Sequence, residues 1–94
     1  MSTSIPIALF RLGKIVTTQR ALARLSQSDI LNGIRRHLAG DWGEVDECDR
    51  QFNYRALAKG GRLVSVYYSS QGTAFCLITE ADRSVTTVLL PDEY

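Results

Sequence analysis

Histidine, tryptophan and methionine occur once each in this chain, and cysteine and proline twice each. Cys48 and Cys76 stand too far apart in sequence to offer metal-ligand spacing, and no signal peptide suggests an oxidising compartment, so both are expected as small buried hydrophobes. No apolar run approaches the roughly 18 residues that a membrane span needs. The opening MSTSIPIALF lacks the basic start and long apolar core of a secretory signal, so the expected location is the cytoplasm. A Gly-rich phosphate loop, a metal-ligand cluster, a nucleophile elbow and a nucleotide fingerprint are all missing. The sequence therefore predicts no cofactor and no metal, and it argues against a cofactor-dependent enzyme. An excess of one charge sign is missing too. A net charge of +1 over 94 residues argues against direct nucleic-acid binding, which leans on many phosphate contacts.

What is present begins with residues 61–94, GRLVSVYYSSQGTAFCLITEADRSVTTVLLPDEY. Residues 63–68 are β-branched and aromatic, the composition that suits a pleated surface. A polar run ending in Gly72 signals a hairpin. Residues 73–79 form the second expected strand and 85–90 the third, with Pro91 ending it for want of an N–H. Strand alternation puts Val64, Val66 and Tyr68 on one face and Leu63, Ser65 and Tyr67 on the other. Neither face is wholly polar, so helices, or a second copy of the chain in a homodimer, should cover the sheet.

Residues 2–4 read as a polar, frayed start. A first strand is expected at 12–16. Thr18 is placed to cap a helix over 19–25. Ser28 then caps a helix over 29–39 whose buried stripe is Ile30, Leu31, Ile34 and Leu38, with Gly40 ending it. Asp41 and Glu44 have capping-box spacing for a third helix over 44–59, with Val45, Cys48, Phe52 and Ala56 as its apolar stripe. The whole reads as one α+β domain: an N-terminal strand, two to three helices, then a three-stranded antiparallel meander packed on the helices.

Charge is unevenly laid out. Residues 41–49 carry Asp41, Glu44, Asp46, Glu47 and Asp49 and no base, whereas residues 11–40 are mostly basic. An acidic row of this kind either imitates phosphates and docks on a basic groove, or is a solvated helix start that suits the dipole. Trp42, inside the run, is either a plug between helices or an exposed anchor of a binding surface. His37, beside two arginines at a helix end, suits dipole complementarity better than catalysis. Arg62, Tyr67, Arg83 and Ser84 are candidates for a polar site on the sheet. For Arg83 the competing reading is an Asp-initiated turn with a local Asp82–Arg83 pair.

From Asp41-Trp42-Gly43 onward the chain resembles a group of short bacterial proteins of plasmids, phages and other mobile elements. The residues that carry the resemblance are DWG, ALAKGGRLVSVYY, the GT before the second strand, and ITEADRSVTTVLLPDEY. It implies a setting in which small proteins are often anti-restriction or anti-CRISPR inhibitors. The expectation that follows is a non-enzymatic protein that blocks a host protein or ribonucleoprotein complex such as CRISPR–Cas. Its partner-binding residues would be Asp41, Trp42, Glu44, Asp46, Glu47 and Asp49. The order of elements is also similar to the RelE/ParE toxins among the barnase-like ribonucleases. That likeness implies a ribonuclease with Arg62, Tyr67, Arg83, Ser84 and Thr86 around the scissile phosphate. The chain departs from those toxins in its balanced charge and in having no histidine on the sheet.

Overall fold

The structure, a computed structural model, describes residues 8–94; the frayed start expected at residues 2–4 lies outside them. In chain order come β1 (Lys14–Thr17), α1 (Gln19–Arg24), α2 (Gln27–Leu38), α3 (Glu47–Lys59), β2 (Leu63–Tyr68), β3 (Ala74–Thr79), β4 (Val85–Leu89) and a 3-10 turn (Pro91–Glu93). The sheet order is β1-β4-β3-β2. The last three strands form the expected antiparallel meander, and β1 joins β4 in parallel, so the sheet is mixed. The fold is α+β, as the sequence predicts.

Two helix starts differ from expectation. Thr18 caps α1 as expected, accepting from the Ala21 N–H. The cap of α2, however, is Ser26 and not Ser28: the Ser26 hydroxyl accepts from the Asp29 N–H at 3.1 Å and donates to the Asp29 carboxylate at 2.9 Å. An acid three residues past a serine makes the stronger start. The cap of α3 is Asp46, accepting from the Asp49 N–H at 2.8 Å. The expected capping box at Asp41 does not form. Gly43 has a φ of 74°, outside the right-handed helical region, and pairs with β2 instead.

Paired rows of the meander make the helix-facing side: Leu63, Thr79 and Thr86 in one row, Ser65, Leu77 and Val88 in the next, then Tyr67 and Phe75. All are buried. Helix α2 lies over β3 and α1 over β4. Helix α2 approaches closely because residue 33 is glycine; a Cβ there would stand 2.8 Å from the Phe75 ring. The buried centre of α2 is accordingly Gly33 and His37, with Ile30 and Ile34 at its margin, while Leu31 is 51% exposed. The expected Ile30–Leu31–Ile34–Leu38 stripe is therefore turned partly outward. On the other side of the sheet Cys76, Ile78 and Leu89 are buried, with the 3-10 turn packed against β3. Only Cys76 fits the buried reading of the cysteines, since Cys48 is exposed on α3.

The outer edge of β2 is closed by hydrogen bonds. The Asn53 side chain on α3 donates to the Val64 carbonyl at 2.8 Å and accepts from the Val64 N–H at 3.1 Å. Two residues on, the Val66 N–H donates to the Trp42 carbonyl at 3.1 Å and the Val66 carbonyl accepts from the Glu44 N–H at 2.7 Å. An edge strand closed in this way has no free ladder groups there to recruit another chain. Trp42 itself is a core residue, packed on Phe10, His37 and Tyr54. A Cβ at residue 43 would overlap the Val66 carbonyl oxygen and press on the Tyr67 ring. Gly43→Ala should therefore cost about 3 kcal/mol, combining left-handed strain with the loss of two edge hydrogen bonds. Urea denaturation measures it; a loss below about 1 kcal/mol would mean that the 42–44 segment is not held by the edge.

Candidate functional site

The polar groups with chemical potential fall into two sets, one buried and one exposed. The buried set is a chain of hydroxyls around His37, which is fully inaccessible. Thr86 Oγ1 donates to the Leu12 carbonyl at 2.7 Å. Its remaining contact, with Thr79 Oγ1 at 2.7 Å, must then be one it accepts. Thr79 has thereby given its proton away, so it accepts from His37 Nε2 at 2.9 Å. That fixes the neutral Nε2–H tautomer, and Nδ1 accepts from the Ser65 hydroxyl at 2.5 Å. Burial, and then the positive charge of Arg83, pull the His37 pKa from 6.5 down to about 4. The residue is thus uncharged near neutral pH, and the dipole-complementarity reading does not hold. Its serine and its imidazole are both closed off from any substrate.

The four sheet candidates do not converge on one surface. Arg62 is exposed and paired with Glu80 at 3.2 Å. Tyr67 is buried at the other end of β2, where its hydroxyl donates to the Asp41 carbonyl at 2.6 Å. Burial raises its pKa. Ser84 donates to the Asp82 carboxylate at 2.6 Å. Arg83 comes near Arg62, but its guanidinium is occupied. It donates to the carbonyls of Gly61 (2.6 Å), Glu80 (3.0 Å), Ala81 (3.1 Å) and Ala56 (3.1 Å). Arg83 is a clamp between the β3–β4 turn and the end of α3. The expected Asp82–Arg83 pair gives way to this clamp and to the Asp82–Ser84 bond.

The exposed set is the acidic run. Asp41, Glu44, Asp46, Glu47 and Asp49 are all exposed, whereas Trp42 is inside the core. Asp41 is paired with Arg36 at 2.7 Å, and that hydrogen bond holds its carboxyl below the usual range. Glu47 pairs with Arg50 at 3.4 Å. Glu44, Asp46 and Asp49 make no ion pair among the described residues. Their positions are nevertheless set: Glu44 by its main-chain bond to Val66, and Asp46 and Asp49 by the cap of α3. Beside them lies a groove of about 410 Å³ lined by Asp49, Phe52, Asn53, Arg62, Val64 and Tyr94. Phe52 and Tyr94 are 58% and 66% exposed.

Phe52 and Tyr94 escape a sequence reading. Phe52 fits an apolar stripe on paper, and Tyr94 is a lone terminal aromatic. A signal for the groove wall did exist in Asn53, a poor helix former in mid-helix. Among the described residues no three His, Cys, Asp or Glu side chains come together to hold a metal ion. No helix among them is long and apolar enough to cross a membrane. No family model matches the chain, and searches of curated proteins and of solved structures return no match either.

Proposed function

We propose that this chain is a non-enzymatic, cytoplasmic binding protein of a bacterial mobile element. It blocks a host defence complex of the CRISPR–Cas or restriction kind by covering a basic, nucleic-acid-handling surface. The observation that carries this reading is the exposed run Glu44–Asp49. Its carboxylates stand on a frame already fixed by the β2 edge and the α3 cap, so little ordering entropy opposes contact. Rows of fixed negative charge complement a surface built for phosphates, and they speed the encounter as well.

The test is a paired substitution. Glu44 and Glu47 are exposed, so Glu44→Lys with Glu47→Lys should leave the circular dichroism spectrum unchanged and lower the melting temperature by several degrees at most. Losing the Glu47–Arg50 pair, which is exposed, costs at most about 1 kcal/mol. Capture of the partner complex should fall at least about 100-fold, since like charges would then face each other across the contact. Undiminished capture by the double variant would remove this face from the account.

A further inference from the structure

We infer that the groove beside the acidic face receives an arginine side chain of the partner protein. The inference rests on the contact reading above and names what that face grips. Asp49 and Phe52 are three residues apart on α3 and so share one helix face. Tyr94 lines the same groove. Both rings are more than half exposed. The Asp49 carboxylate is exposed and free of ion pairs among the described residues, because the cap of α3 uses its main-chain N–H and leaves its side chain free. Arg62 also lines the groove, but Glu80 already balances its charge at 3.2 Å.

A guanidinium is the group this lining fits. Its fork matches a carboxylate, and its flat face packs on an aromatic ring. An ammonium can also be drawn to a ring, but it has neither the flat stacking face nor the two-pronged fork for the carboxylate. An anion would meet the repulsion of Asp49. The groove volume of about 410 Å³ suits one long side chain and its flanking backbone.

The probe is acetyl-arginine amide, titrated into the isotope-labelled full chain and followed by NMR, with acetyl-lysine amide alongside. Saturable shifts are expected at Phe52, Gly61, Val64 and Tyr94. The lysine probe should bind at least about 5-fold more weakly, for lack of the stacking face. Asp49→Asn should weaken the arginine probe at least about 10-fold. The fold survives that change, because the cap bond comes from the Asp49 main chain. Shifts that do not saturate, shifts centred elsewhere, or equal affinity in Asp49→Asn would each overturn the proposal. The probe needs no defence complex, so the two readings fail separately. Capture without arginine binding would sink the groove alone. Arginine binding without any captured complex would support the groove and count against the defence reading.

Discussion

Arg83→Ala should lower the unfolding free energy by about 3 kcal/mol, a large loss for a turn residue. The Arg83 guanidinium reaches four main-chain carbonyls, at Ala56, Gly61, Glu80 and Ala81. Hydrogen bonds from a charged donor are worth more than neutral ones, and the carbonyls of Gly61 and Ala56 lose their Arg83 donor when it goes. Arg83 also has a φ of 61°, which is strained for any side chain. Arg83→Gly removes the same clamp but relieves that strain, so it should be milder than Arg83→Ala by about 1 kcal/mol. Arg83→Lys should recover little, since one ammonium cannot span the carbonyls that a planar fork reaches. Urea denaturation of the three variants provides the test. A loss under about 1 kcal/mol in Arg83→Ala would mean that the clamp adds nothing to stability.

The second large effect is acid destabilisation through His37. An unfolded histidine titrates at 6.5, and the folded one at about 4. Between those values the unfolded chain holds the extra proton, so stability is complete above pH 6.5 and declines as the pH falls to about 4. Across that window the loss should reach about 3 kcal/mol, since each tenfold difference in proton affinity is worth roughly 1.4 kcal/mol. The physical cause is legible in the network. A proton added at Nδ1 would face the Ser65 hydroxyl proton directed at the same atom. The carboxyls of Asp29, Asp41 and Asp82 are shifted below the ordinary 3.8, chiefly by hydrogen bonds from Ser26, Arg36 and Ser84 respectively. Their stabilisation is lost only as the pH falls below that ordinary value, so the two windows separate. Denaturation at pH 4.5, 5.5 and 7 should give a steep slope in the native chain, and His37→Gln should flatten it. An equal slope in both would place the acid sensitivity elsewhere.

The meander is readable in the sequence because its strands follow β-branched and aromatic composition and end at real turns. The helix faces are less so. On α3 a phase counted from Val45 misleads, because Val45 precedes the Asp46 cap and is not on the helix at all. Of the expected stripe, Val45 and Ala56 are buried as predicted, but Cys48 and Phe52 are exposed, and Asn53 takes the inward place beside Ala56. Asn53 is buried because two main-chain groups of β2 satisfy its amide, a partnership made across 11 residues that periodicity cannot see. His37 is hidden from sequence for the same reason: its partners Ser65 and Thr79 are 28 and 42 residues away. The acidic run is legible as charge. Its adjoining groove is not, because Phe52 and Tyr94 are brought together by the fold alone.

The contact reading is tested most directly by affinity capture of the tagged chain from a bacterium with active CRISPR–Cas, with mass spectrometry of the protein and sizing of the RNA. The expected result is stoichiometric recovery of one defence complex with its guide RNA intact, lost when Glu44 and Glu47 are both changed to lysine. Shortened RNA, or recovery of the bait alone, would contradict the account.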